Sequence, residues 1–291
     1  MIRLVGILIG LGFTLVVLVS FGAGAYTAAT EPTEKPAYYS FKQHPEAPEG
    51  GFQFAGAMGT WDIAQLQRGY QVYKEVCAAC HSLNYVAFRN LEQLGYSEAQ
   101  VKAEAATWTV PGINPDTGEA ATRPGLPTDS FPSPYPNAIA AAAANNNAIP
   151  PDLSLITKAR EDGSNYVYSL LSGYDDPQTF TNEAGEVFAE TAPDYVPGVG
   201  LHFNPYFSNI NLAMAPPLVV DNQVTYSDGT SATVEQMSAD VAAFLTWTAE
   251  PSMIARKQTG WWVLAFTLFA TILAWFAKKQ VWSGVKPKRK D

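Results

Sequence analysis

Only two cysteines occur in the 291 residues, and they stand three apart with a histidine directly after the second: Cys77-Ala78-Ala79-Cys80-His81. Two thiols one helical turn apart, followed at once by an imidazole, form the C-x-x-C-H pattern of c-type haem attachment. Each thiol can add across one vinyl group of the porphyrin, and the adjacent imidazole then lands under the iron. A structural disulfide, a redox dithiol or half of a zinc site would use the same cysteines. Zinc needs two more soft ligands, and the chain has no third cysteine. A dithiol oxidoreductase has no use for the histidine. The spacing therefore predicts one covalently attached haem c, held by Cys77 and Cys80 and ligated by His81.

The opposite face of the iron requires a second ligand or an open site. The candidates are His44, His202, Met58, Met214, Met237 and Met253. Met253 adjoins a long apolar run, Met237 falls at the start of a helical pattern, and His44 and Met58 lie in a loose stretch upstream of the cysteines. Met214 precedes Ala215-Pro216-Pro217, where two prolines stiffen the chain. A stiff loop suits a weak thioether ligand, because less entropy is lost in holding the bond. His202 is the rival, and a core role for Met214 is the plain alternative.

The elements that must position these groups follow from apolar spacing. A helix is expected from an Asp62 cap to Cys77, with Leu66, Gly69 or Tyr70, Tyr73 and Val76 on one face. Residues 84–106 read as a second helix through Leu91, Leu94, Val101 and Ala105. Nine prolines between positions 107 and 151 leave little room for long regular structure. Asp152 reads as the cap of a short segment and residues 166–171 as a helical turn or two. Residues 172–233 read as loop. Residues 239–247 form a further helix with Val241, Phe244, Leu245 and Thr248 in register. Residues 26–60, rich in Pro and Gly, read as an extended lead-in.

Both ends of the chain are apolar. Arg3, the run 4–19 and Ala23-Gly24-Ala25 have the three parts of a secretory signal, with an uncleaved apolar helix as the alternative. Residues 260–277 carry no charge and place Trp261, Trp262 and Trp275 near their edges, as a transmembrane helix does. Six bases follow it (Lys278, Lys279, Lys286, Lys288, Arg289 and Lys290), against Arg256 and Lys257 before it. The tail is therefore expected in the cytoplasm and the body outside. The expected plan is a signal or apolar helix at 1–25, an exported body at 26–255, a membrane anchor at 256–279 and a basic tail at 280–291.

The body is loop-rich but not disordered. Charged residues make up 15% of the chain, with 22 Gly and 21 Pro, yet 14 Tyr, 15 Phe and seven Trp supply core material. Residues 26–255 hold 26 of the 27 acidic residues and nine of the 18 basic ones, a formal charge near −17. Such a surface disfavours nucleic acid and anionic lipid and favours a basic protein.

Gly69-x-x-x-Tyr73-x-x-x-Cys77 resembles the N-terminal helix of the class I cytochrome c fold. In that fold the glycine admits the C-terminal helix, here around residues 240–247. Longer stretches resemble the cytochrome c1 family: residues 67–83, 150–154, 159–174, 200–207, 214–218 and 240–251, followed by one membrane helix. The resemblance implies a mainly α haem domain with long loop insertions and one C-terminal transmembrane helix. It further implies Cys77 and Cys80 as thioether cysteines, His81 as the proximal ligand and Met214 as the sixth. Arg160, paired with a propionate, and Tyr166 match positions that contact the haem; Asn145 and Pro151 match positions lining its crevice. Some bacterial members brace the methionine loop with a second cysteine pair, which this chain lacks, so Pro216, Pro217 and packing must serve. His202 stands where an aromatic residue is common and is assigned no role.

With His and Met on the iron no substrate can bind it, and Met ligation raises the potential, so the haem is a relay. The implied circuit runs from a Rieske iron–sulfur protein to this haem and on to a cytochrome c acceptor. The chain would sit beside a cytochrome b subunit in a bacterial-type inner membrane, with its haem domain periplasmic. It would be a redox subunit of the ubiquinol–cytochrome c reductase complex without activity of its own. A stand-alone, membrane-anchored monohaem carrier is the alternative, although small carriers place the methionine nearer the haem motif.

Overall fold

The computed structural model describes residues 2–31 and 37–285. Residues 32–36 of the expected lead-in lie outside them, as do Lys286, Lys288, Arg289 and Lys290 of the expected tail. The chain divides into two units between Phe41 and Lys42. The first is carried by α1 (Ile2–Thr30), a 29-residue apolar helix with no buried side chain. It runs without a break through Ala23-Gly24-Ala25, where processing is expected, and a short 3-10 turn follows at Ala37–Ser40.

The second unit opens with irregular chain, as the Pro and Gly content predicts, but this chain is anchored. Phe52 and Phe54 are buried and stack with ring centroids 4.8 Å apart. Asp62 then starts α2 (Ile63–Glu75), its carboxylate accepting from the Gln65 N–H at 3.2 Å. Leu66, Gly69, Tyr70, Val72 and Tyr73 form the buried stripe. α2 stops short of the cysteines, and the haem motif itself occupies a tighter 3-10 turn, Cys77–Ala79.

The single helix expected over 84–106 is not there. That stretch forms β1 (Leu83–Ala87), a 3-10 turn (Phe88–Leu94) and α3 (Glu98–Ala106). Phe88, Leu91 and Leu94, all buried, recur every third residue, which is the period of a 3-10 helix. Gly95 then takes φ 87°, a left-handed conformation that ends the turn. Ser97 and Gln100 form a capping box that starts α3 afresh.

The proline-rich region holds only short elements, as expected: the antiparallel pair β2 (Thr109–Ile113) and β3 (Ala120–Pro124), then β4 (Ser130–Phe131), which pairs with β1, and α4 (Ala138–Ala144). Next come α5 (Ile156–Ala159) and α6 (Gly163–Ser172), the latter longer than the two turns expected. Leu155, not Asp152, precedes α5, so the expected cap is absent. Residues 173–233 are mostly loop, with α7 (Phe188–Thr191) and a two-residue pair, β5 (His202–Phe203) against β6 (Asn211–Leu212). α8 (Val234–Ala249) closes the body and α9 (Met253–Trp282) follows after Pro251. The fold is mainly α, with two terminal helices apolar enough to cross a membrane where the sequence implied one span and one signal.

α2 and α8 cross at Gly69. A Cβ there would run into the Asp240 carbonyl and come within 2.7 Å of the Phe244 Cβ. Beside the crossing, Arg68 donates from Nε to Asp240 Oδ2 at 2.9 Å and from Nη1 to Asp228 at 2.8 Å. Asp240 is fully buried, so its pairing with Arg68 and with Gln236 is what makes that burial tolerable. Tyr70, Tyr73, Phe131 and Phe244 pack edge-on or tilted around the junction.

The junction with α9 is also tied down. Glu250 pairs with Arg256 at 2.5 Å and Lys158 at 3.4 Å, while Lys257 Nζ donates to the carbonyls of Phe54 and Gly56, each at 2.8 Å. Arg256 and Lys257, expected only as flanking charge, thus join α9 to the body.

Candidate haem site

Cys77 and Cys80 are free thiols, both half-buried, at the ends of the turn that follows α2. The N–H groups of Cys80 and His81 both donate to the Cys77 carbonyl, at 3.1 and 2.9 Å. That pair of hydrogen bonds sets the two cysteines and the imidazole in sequence around one turn. Burial, with a smaller contribution from neighbouring Cys80, pushes the Cys77 thiol up to about 12, so it stays protonated at neutral pH.

His81 lies with Nδ1 2.7 Å from the Pro151 carbonyl oxygen. A carbonyl can only accept, so Nδ1 carries the proton and Nε2 keeps its lone pair. Burial lowers the basicity of the ring more than Pro151 and Asp152 raise it, and the imidazole is neutral. Two uncrosslinked thiols and a neutral imidazole with a free Nε2 match the donor set of a c-type haem.

Pro151 holds this place because its neighbours are clamped to the strand after the motif. The Asp152 carboxylate accepts from Ser82 Oγ at 2.7 Å, the Asn84 N–H at 2.7 Å and the Ser154 N–H at 2.9 Å. The Leu153 N–H donates to the Ser82 carbonyl at 2.9 Å, and Tyr73 Oη to the His81 carbonyl at 3.1 Å. Asp152, expected as a helix cap, is instead the residue that fixes the backbone whose carbonyl meets the His81 ring. The residue type was visible in sequence; a partner 70 positions away was not.

Met214 is half-buried and borders the same core as Cys77, Ala78 and Tyr166. Among the other sulfur candidates, Met58 is exposed and Met237 is fully buried in α8. Arg160 is exposed at the end of α5, beside the Tyr166 hydroxyl, and is in no ion pair among the described residues. Asn145 caps α4, with Nδ2 donating to Tyr135 Oη at 3.0 Å and the Ala141 carbonyl at 2.7 Å. His202 lies in β5 and is half-buried.

A family model described as the Cytochrome C1 family matches residues 52–285. Cytochrome c1-2, heme protein, mitochondrial, of Solanum tuberosum is 44% identical over 245 residues, covering 84% of this chain and 88% of that relative. Cytochrome c1 of Rhodospirillum rubrum is 44% identical over 250 residues, 83% of this chain and 92% of the relative. A longer protein, Cytochrome b/c1 of Bradyrhizobium diazoefficiens, is 46% identical over 244 residues, which cover 81% of this chain and 35% of that protein.

Proposed function

The chain belongs to the cytochrome c1 family, and from that premise we propose that it is the haem-bearing electron-transfer subunit of a membrane quinol–cytochrome c oxidoreductase. The observation that carries the reading is the His81 imidazole, held neutral and oriented by the Pro151 carbonyl directly after two free thiols. Cys77 and Cys80 would hold one haem c through thioether bonds, with His81 through Nε2 and Met214 through its sulfur as the iron ligands. When bound, the haem supplies a reversible one-electron couple whose potential Met ligation raises.

The chain's own residues keep that couple isolated. α2 and α8, locked at Gly69, form the wall behind the motif, in a class I cytochrome c-like arrangement. Arg160, next to Tyr166, is placed to offset a propionate. Asn145 and Pro151 frame the crevice, Asn145 by fixing the end of α4 and Pro151 through its carbonyl.

Loaded with haem, the chain would serve as the relay between a Rieske iron–sulfur protein and a cytochrome c, without turnover of its own. A cytochrome b subunit is its neighbour in the membrane; the name of the Bradyrhizobium relative, which joins b and c1, supports that. Residues 26–255 lie on the periplasmic side, 256–279 span the membrane and 280–291 are cytoplasmic; residues 1–25 are the export signal.

Redox titration of Met214→Leu tests the assignment. The variant should keep the covalent haem, because Cys77 and Cys80 are untouched, and lose the high midpoint, because Leu has no sulfur to favour the reduced iron. An unchanged midpoint eliminates Met214 as the ligand.

A further inference from the structure

The loop that carries Met214 has no covalent brace, since the only cysteines are Cys77 and Cys80. Its two flanks are nevertheless fastened. Upstream, β6 pairs with β5, and Tyr195 Oη donates to Asn211 Oδ1 at 2.5 Å. Downstream, Gln223 bridges the loop, its Nε2 donating to the Pro217 carbonyl at 2.8 Å and its Oε1 accepting from the Val219 N–H at 3.0 Å.

At Met214 itself the tie is a different one. Tyr174 Oη donates to the Met214 carbonyl at 2.9 Å. Tyr174 directly follows Gly173, the residue that ends α6, and α6 is docked on α8 by the Ser164 Oγ–Thr246 Oγ1 hydrogen bond of 2.6 Å. Tyr174 therefore stands two residues past the last residue of a helix fixed to the core, where the loop has just begun, so its position is tied to that helix more closely than a mid-loop donor's would be.

We propose that Tyr174 is a positioning residue that holds the Met214 backbone so that the thioether stays on the iron. The proposal rests on the reading of Met214 as the second axial ligand. A thioether is a neutral, weak ligand, and its residence depends on how little freedom the chain gains when the bond opens. A hydrogen bond to the carbonyl of the ligating residue restricts that freedom at the point where it matters.

The test uses the full-length, haem-loaded protein in detergent, with imidazole as a competing ligand for the oxidised iron. Tyr174→Phe removes one oxygen and keeps the ring. It should raise the apparent imidazole affinity about tenfold, which is the shift that ~1.4 kcal/mol of lost loop restraint produces. The near-infrared Met–iron band should persist without imidazole and vanish at lower imidazole concentration than in wild type. Glu104→Gln weakens the contact of α3 with α2 without touching α6 or the loop, and serves as the control for general destabilisation. Its thermal midpoint should fall while its imidazole affinity stays at the wild-type value. Wild-type imidazole affinity in Tyr174→Phe overturns the proposal, and so does an equal rise in Glu104→Gln. A Met214→Leu protein that retains the band removes the ligand reading itself. Loss of the band in Met214→Leu with no effect of Tyr174→Phe leaves that reading intact and removes only the role of Tyr174.

Discussion

His81 is useful because of the proton it keeps. With Nδ1–H spent on the Pro151 carbonyl and the ring's basicity lowered by burial, Nε2 is available as a neutral donor at any pH near 7. The second layer behind it, Asp152 with its three donors, is what fixes the Pro151 carbonyl in place. Arg160 belongs to the same scale. It is exposed, unpaired among the described residues and next to the Tyr166 hydroxyl, so it can place positive charge at the edge of the crevice. Positive charge favours the reduced iron, and removing it should lower the midpoint. For an exposed charge the shift should be small, about 20–60 mV, or roughly 0.5–1.4 kcal/mol. Titration of Arg160→Gln reads it, and an unmoved midpoint makes Arg160 an ordinary surface base. Residues of this kind differ in how far sequence reveals them. Cys77, Cys80 and His81 are readable because the chemistry is local to five positions. Asp152 and Tyr174 are not, because their partners lie 70 and 40 positions away and nothing in an isolated Asp or Tyr announces the bond.

Helices positioned by single contacts give the next level. Gly69 is where α8 lies directly on α2, and the atom a Cβ would meet first is the backbone carbonyl of Asp240. Side chains can turn aside; a helical carbonyl cannot. Gly69→Ala should therefore cost about 3 kcal/mol or more, at the upper end of overpacking penalties. Trimming Phe244 to Ala should not rescue it. The thermal midpoint and the yield of haem-staining protein measure both, and a wild-type Gly69→Ala melt would mean the helices do not touch there. On another face of α2, Glu104 of α3 accepts from Tyr70 Oη at 2.6 Å, Trp108 Nε1 at 3.0 Å and Lys74 Nζ at 2.8 Å. Burial alone would raise the Glu104 pKa, but these hydrogen bonds, led by that from Lys74, outweigh it and leave it lowered. A carboxylate with a lowered native pKa contributes stability above its unfolded value of about 4.3 and loses it as pH falls through the native one. Glu104→Gln should cost about 1–2 kcal/mol at pH 7, and the gap to wild type should close as pH falls from about 4.5 toward 3. Parallel melts across that range check it; a gap that does not narrow with acid would remove the charge from the account. The elements themselves were readable where one face is apolar at a regular period, as in α2, α6 and α8. The expected helix over 84–106 failed because Phe88, Leu91 and Leu94 fit a 3-10 period as well as an α one. The strand before them exists only through pairing with Ser130 and Phe131, a contact no local pattern encodes.

Over the whole molecule, charge is divided by position. The expected exported body carries a formal charge near −17, and within it residues 175–194 hold six acids and no base. The structure gives part of that acidity local work. Glu186 Oε2 accepts from Asn182 Nδ2 at 2.8 Å within the turn that pairs Thr181 with Val187, and Asp176 Oδ1 accepts from the Gln178 N–H at 2.9 Å. Asp175 and Glu183 are exposed, while Glu190 and Asp194 continue the acidic surface through α7 and beyond. A basic acceptor approaching this body feels the summed field before it makes any contact, and such steering raises association rates by roughly 10–1000-fold at low salt. The gain decays over a screening length of about 8 Å at physiological ionic strength, so only charges near the docking rim survive there. Stopped-flow electron transfer from the reduced protein to a basic cytochrome c, followed across a salt series, separates the two regimes. The neutralising set should be Asp175→Asn, Asp176→Asn, Glu183→Gln and Glu186→Gln, because the amide of Asn at 176 and of Gln at 186 still offers an oxygen to the turn and keeps the loop's shape. The wild-type second-order rate should fall steeply with salt, and the quadruple variant should be slower at low salt and flatter in its salt dependence, the two curves converging at high ionic strength. A wild-type rate indifferent to salt would end the steering argument, and a steep wild-type curve reproduced by the variant would place the docking rim on other acids of the body.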